Sequence, residues 1–228
     1  MGALLDSADP LHAFYAEMPG DGGATRAVCS ASPELFLSFD PGTRTVRTRP
    51  MKGTRPITAD PEELRGAAKD RAELDMITDL MRNDLGRVCA FGSVRVEHPR
   101  TIEAHADSVW QATSTIAGTL REGVTPADLV RATFPPGSVT GAPKIRAMQI
   151  IDELEPAPRG FYCGALGWLD DSGAMSLNVA IRTATIEGGR LTYHAGAGIV
   201  ADSDPDAEWA ETLGKAEVLG RIASDRTG

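Results

Sequence analysis

What this 228-residue chain has little of narrows its function first. It carries three cysteines, Cys29, Cys89 and Cys163, scattered and without a CxxC pair. That argues against a disulfide framework or a zinc site and predicts reduced, mostly buried thiols in a cytoplasmic protein. No apolar run reaches about 18 residues, so no membrane-spanning helix is expected and no membrane partner. Residues 1–22 lack a basic stretch followed by an apolar one, so no signal peptide is expected either. Positive charge is in deficit: 23 Lys and Arg stand against 32 Asp and Glu, a net charge of −9. Neutralising a phosphate backbone needs a basic face, so nucleic acid is not the expected partner. An anionic metabolite still fits, provided the cations are concentrated at its site. The four histidines (His12, His98, His105, His194) follow no metal or triad spacing. There is no Gly-x-Ser-x-Gly elbow, no Walker A order and no amidotransferase nucleophile motif.

What is present reads as one α+β domain over residues 23–228, after a weakly patterned segment, 1–22. The length suffices for a real core. "ATRAVCSA", "ELFLSF" and "TRTVRTR" read as short strands, with Asp40-Pro-Gly as a turn. Asp60-Pro61, with Glu63 three residues on, opens a helix with a capping box. That helix is weakened at Gly66 and stops at Gly86. "SVRVE" and "VWQATSTIAGTL" read as strands and "PADLVRATF" as a short helix. The loop "PPGSVTGA" precedes the helix "PKIRAMQIIDELE", with Pro143 in its first turn. "FYCGALGWL", "AMSLNVAIRTATI" and "RLTYHA" read as a three-stranded antiparallel meander. The loop "GAGIVADSDPD" leads into a closing helix, "AEWAETLGKAEVLGRIA".

Several groups of residues could carry chemistry. Lys52, in "TRPMKGTRP", is a solvated loop cation, an anion clamp or an amine nucleophile. Asp70, Glu73, Ile77 and Leu80 share one helix face, and Glu208, Glu211, Lys215 and Val218 repeat the arrangement. Acids favour the first turn of any helix. Two such helices also suggest a cation held by four carboxylates, and an oxygen-only set suits Mg²⁺. The loop "PPGSVTGAPK" places amides, Ser138 and Thr140 ahead of a helix N-terminus, which is either ordinary capping or an anion site. Arg182 falls on the less apolar face of "SLNVAIRTATI", where its partner is a bidentate carboxylate ligand or a structural ion pair.

In family order these segments are "SPELFL", "TRPMKGTRP", "KDRAELDMITDLMRNDLGRV", "PPGSVTGAPKIRAMQIIDELEP", "FYCGALGWL", "LNVAIRT" and "AGAGIVADSDPDAEWAETLGKA". Together they resemble the chorismate-utilising enzymes, specifically the chorismate-binding region of the aminodeoxychorismate synthases. The resemblance implies antiparallel sheets flanked by helices and Mg²⁺-dependent amination of chorismate with ammonia. It implies a separate glutamine amidotransferase subunit as the source of that ammonia. Aminodeoxychorismate synthases resemble one another in a P-I-K-G-T segment, where anthranilate synthases carry alanine at the lysine position, and "PMKGT" here has the lysine. Lys52 is then the nucleophile at C2 of chorismate, helped by Arg49, Arg55 and desolvation, all of which disfavour its proton. Glu34 of "SPE" takes general acid–base work near C4. Asp70, Glu73, Glu208 and Glu211 hold the metal. Thr140, Tyr162, Arg182, Gly196, Gly198 and Lys215 hold the substrate carboxylates.

Departures from the family pattern are part of the reading. Gln111-Ala-Thr-Ser stands where many members have His-Leu-Val-Ser, and glutamine hydrogen-bonds but cannot shuttle a proton. The segment before "KDRAE" is short, and Ala197 replaces a usual glycine. Full-length relatives also carry an N-terminal half that this chain lacks, so its sheets would be partly uncovered. A partner supplying that half, or a second copy of the chain, would cover them. The alternatives are a non-catalytic or partner-dependent chorismate-binding protein, or an anthranilate synthase component I or another chorismate aminase or isomerase.

Overall fold

The computed structural model describes residues 12–105 and 109–224, with the side chain of Asp21 and those from 218 onward left aside. The architecture is α+β, with antiparallel sheets and flanking helices. The chain divides into two compact units. One takes in the chain up to Pro33, Arg159–Gly164 and the chain from Ala180 onward. The other takes in Glu34–Pro158 and Ala165–Val179.

The larger unit is built on a seven-stranded sheet. Its strands are β3 (Leu35–Asp40), β4 (Thr45–Arg49), β5 (Met51–Pro56), β6 (Arg95–His105), β7 (Val109–Thr119), β8 (Ala165–Leu169) and β9 (Met175–Val179). The order is β5-β7-β4-β3-β9-β8, with β6 on the other side of β7. Strands β4 and β5 therefore lie end to end along one edge of β7: Thr48 pairs with Ile116 and Met51 with Thr113. Pro50 has no N–H to give, but its carbonyl accepts from Ser114 N at 3.0 Å, which keeps the two strands in line.

Helices α1 (Pro61–Gly66) and α2 (Ala68–Gly86) pack against this sheet. Asp60 caps α1 through Glu62 N alone, so the expected reciprocal capping box is not formed. In α2 the buried residues Leu74, Ile77, Met81 and Leu85 recur at helical spacing and form the stripe that meets the sheet. Leu64 and Leu74 close on Ala112 of β7, all three fully buried. Truncating Leu74 to alanine would cost about 2–5 kcal/mol. The expected break at Gly66 and stop at Gly86 are both found. Helix α3 (Pro126–Thr133) carries a full capping box between Thr125 and Asp128. Helix α4 (Lys144–Leu154) buries none of its residues, leaving Ile145 and Leu154 largely exposed.

The smaller unit has a four-stranded sheet in the order β1-β2-β10-β11. Its strands are β1 (His12–Pro19), β2 (Thr25–Ser32), β10 (Thr183–Glu187) and β11 (Arg190–Tyr193). Helix α5 (Pro205–Ser224) belongs to the same unit. Strand β1 lies in the segment whose sequence is weakly patterned, yet its side chains alternate half-buried and exposed along β2.

The expected three-stranded meander is not formed. "AMSLNVAIRTATI" is two strands, β9 paired with β3 and β8, and β10 paired with β2 and β11, in different sheets. Between them Arg182 takes φ 49°, a left-handed conformation that ends one ladder before the next begins. Arg182 therefore sits at a strand break rather than on a strand face.

All three cysteines are buried and free. Among the described residues no helix is long and apolar enough to cross a membrane.

Candidate functional site

In the larger unit the sequence "MKGTRP" forms β5, and a bulge lies between Lys52 and Thr54. Gly53 makes the bulge possible, because its φ is 76°. A Cβ there would lie 2.7 Å from Leu64 Cδ1 and 2.9 Å from Asp70 Cγ, so glycine also lets β5 approach α2 closely. The bulge sets Lys52 and Arg55 against the first turns of α2. Lys52 Nζ lies 3.8 Å from Glu73 Oε2, and Arg55 donates to Asp70 Oδ2 at 3.0 Å. The two acids that share a helix face thus meet two cations from one strand.

Glu34, in the turn entering β3, is buried at 4% exposure. Burial pushes its carboxyl up to about 7, against the opposing pull of the Ser138 hydroxyl and the Lys52 charge. A carboxyl poised there can give or take a proton near neutral pH, which an ordinary glutamate cannot.

The expected help to Lys52 from Arg49 and Arg55 is not available in that form. Arg49 pairs with Glu103 and Arg55 with Asp70, so each positive charge is neutralised locally. Gln111 is buried next to Thr54 in the ladder, and its amide donates to Thr54 Oγ1 at 3.4 Å. Its Oε1 is buried without a partner among the described residues, leaving an acceptor open.

The loop 134–143 differs from the expected amide cradle. Val139 N and Thr140 N turn inward to Pro136 O and Gly137 O, and Thr140 Oγ1 donates to Pro136 O at 2.9 Å. Ser138, not Thr140, is the hydroxyl that pulls Glu34 down against its burial, although Ser138 Oγ is itself buried without a hydrogen-bond partner among the described residues.

The smaller unit gathers most of the remaining residues. Tyr162 stacks on His194 with ring centroids 5.5 Å apart. A Cβ on Gly196 would lie 3.3 Å from the Tyr162 hydroxyl, so that loop runs close beneath the ring. Lys215 Nζ donates to Gly196 O at 2.9 Å and pairs with Glu211 at 2.6 Å. One lysine thus ties α5 to the glycine loop. Gly198 lies in the same loop, half-buried. Burial weakens the hold of Arg182 on its proton, and Tyr193 strengthens it. Among the described residues the Arg182 guanidinium makes no ion pair, so a structural salt bridge does not account for it. Glu208 is buried at 6% exposure and accepts from Ser203 Oγ at 2.6 Å.

The four acids expected to hold a metal offer only carboxylate oxygen, which suits a hard divalent cation. Asp70 and Glu73 belong to the larger unit, Glu208 and Glu211 to the smaller. Asp70, Glu73 and Glu211 each face a cationic side chain. Among the described residues no group of three or more His, Cys, Asp or Glu forms a metal-holding cluster.

A family model described as "chorismate binding enzyme" matches residues 5–221. The chain belongs to that family. This chain is 48% identical over 204 residues to anthranilate synthase component 1 of Streptomyces coelicolor, covering 86% of itself and 39% of the relative. It is also 48% identical over 196 residues to aminodeoxychorismate synthase component 1 of Escherichia coli, covering 83% of itself and 43% of the relative. Among solved structures, anthranilate synthase component I of Streptococcus pneumoniae superposes with a TM-score of 0.79 at 36% identity. That match covers 94% of this chain and 47% of the other. The chain therefore spans about two fifths of the length of these curated relatives, over their C-terminal region. Relatives at equal identity carry two different reaction names, so overall similarity does not choose between the reactions.

Sequence reasoning names Arg55 and Ser138 but not Asp70 and Glu34 as their partners, and it misses His194 stacked on Tyr162. "TRPMKGTRP" signals Arg55 by its three-residue offset from Lys52 across a glycine. Ser138 and His194 are brought in by tertiary contacts with no local signature.

Proposed function

We propose that this chain aminates chorismate at C4 with ammonia, giving 4-amino-4-deoxychorismate and water. The observation that carries the reading is a buried Glu34, pushed by burial up to about 7 against the pull of the Lys52 charge, in the same unit as a Lys52 set against Glu73. In this reading the Lys52 amine attacks C2, forming a C–N bond as the ring double bonds shift and the C4–O bond breaks. Glu34 gives the departing hydroxyl its proton, so water leaves. Ammonia then bonds to C4, the double bonds shift back and the C2–N bond to Lys52 breaks. The proton lost by the new amine returns to Glu34. Tyr162, Arg182, Lys215, Thr140, Gly196 and Gly198 orient the two substrate carboxylates. That the Arg182 guanidinium makes no ion pair among the described residues supports its part in that role. Mg²⁺, held by Asp70, Glu73, Glu208 and Glu211, would supply positive charge against the ring carboxylate. Ammonia would come from solution or from a glutamine amidotransferase subunit.

Anthranilate formation is the second reading, favoured by the relative of that name at 48% identity. It requires pyruvate to leave, and Gln111 can offer only a hydrogen bond where a proton must move. A chorismate-binding protein without turnover is the third. The deciding experiment incubates the chain with chorismate, Mg²⁺ and an ammonium salt and follows products by mass spectrometry. Aminodeoxychorismate supports the first reading and anthranilate with pyruvate the second. Chorismate binding without any product supports the third.

A further inference from the structure

The loop 134–143 links α3 to α4 and carries Ser138, whose hydroxyl is buried without a hydrogen-bond partner among the described residues and whose pull on Glu34 opposes the effect of burial. Thr133 is the last residue of the helix before the loop, and Lys144 is the first of the helix after it. The Lys144 ammonium donates to Thr133 O at 2.8 Å and to Asp84 Oδ2 at 2.5 Å. One half-buried ammonium therefore joins both ends of the loop and ties them to the last turn of α2. The loop rests on the same helix, since a Cβ on Gly137 would lie 2.8 Å from Leu80 Cδ2.

Stability alone is a poor reason to keep this arrangement. Asp84 sits in the last turn of a helix, where the macrodipole disfavours negative charge, and it is buried at 4% exposure. A buried ion pair is often no more stabilising than the apolar pair that would replace it. What an apolar pair cannot do is hold a carbonyl and a carboxylate at once in fixed directions.

We infer that the Asp84–Lys144 pair is a clasp, with Lys144 a positioning residue that keeps the loop 134–143 and its Ser138 hydroxyl set against the substrate site. The inference rests on the reading of that site as a chorismate site. In it Lys144 is not a ligand of the substrate, although it opens the helix that follows the loop.

The test uses the whole chain. Because Lys144→Met alone leaves Asp84 buried without a partner, the double variant Asp84→Leu/Lys144→Met is made beside it. The double variant should keep a thermal midpoint close to the parent's. Amides 137–142 should nonetheless exchange hydrogen roughly tenfold faster or more, while those of β7 keep their protection. Chorismate affinity by calorimetry should fall roughly tenfold, and Lys144→Arg should recover part of it. Unchanged exchange of amides 137–142 in the double variant overturns the clasp. Faster exchange with unchanged chorismate affinity overturns the positioning role. If the parent chain binds no chorismate, the functional reading fails, and the exchange measurement still decides the clasp.

Discussion

Lys52 Nζ stands 3.8 Å from Glu73 Oε2, a strand cation facing an acid from the first turns of a helix that a glycine bulge brings close. At that distance the pair attracts without a hydrogen bond, and both side chains are mostly buried. The lysine is therefore held in place but not locked, as an amine nucleophile requires. Lys52→Ala should abolish amination while chorismate still binds by calorimetry. Product formed at the parent rate by that variant would remove Lys52 from the chemistry.

Glu34 supplies a pH signature. Burial raises its carboxyl to about 7, from 4.5 for an unperturbed glutamate. Because the folded-state value is raised, the protonated form favours folding. That stabilisation is fully present below the unfolded value and is lost as pH rises through about 7. The whole effect is on the order of 3 kcal/mol. Glu34→Gln removes the ionisation, so its thermal midpoint relative to the parent should rise between pH 5 and pH 8. The same variant should lose turnover. Parallel midpoints for the two proteins across that range would mean that Glu34 does not titrate there.

Gly53 holds the bulge at φ 76° with no room for a Cβ against Leu64 and Asp70. Gly53→Ala combines left-handed strain with a clash against the helix. It should destabilise the chain by about 1–3 kcal/mol or more in urea unfolding. Chorismate affinity should also fall, because Asp70 and Lys52 are displaced together. A variant as stable as the parent would show that β5 can flatten without cost.

Much of this arrangement is legible in the sequence because it is locally encoded. Asp60-Pro61 starts a helix, Gly86 ends one, and Asp70 and Glu73 share a face by spacing alone. The break at Arg182 is not legible. "AMSLNVAIRTATI" alternates well enough for one long strand, and nothing local in Ala-Ile-Arg marks a left-handed residue that a β-branched neighbour would normally avoid. Pairings such as Asp84 with Lys144, sixty positions apart, depend on tertiary packing and leave no trace in a window of sequence. Strand β1 is hard to read from sequence for a related reason. Its alternation of His12, Phe14, Ala16 and Met18 is weak in hydrophobicity and becomes a strand through its pairing with β2.

Glu211 separates metal binding from stability. Its ion pair with Lys215 is largely exposed, with side chains 54% and 39% accessible, and exposed pairs contribute about 0–1 kcal/mol. Glu211→Gln should therefore leave the unfolding midpoint nearly where it is. If Glu211 is one of four carboxylates around Mg²⁺, the variant should weaken Mg²⁺ binding in the presence of chorismate, roughly tenfold by calorimetric titration. Glu208→Gln is the informative companion, because Glu208 is buried and accepts from Ser203. It should lose both stability and Mg²⁺ affinity. An unchanged Mg²⁺ titration in Glu211→Gln would take Glu211 out of the metal site and leave it as the partner that steadies Lys215 under the glycine loop.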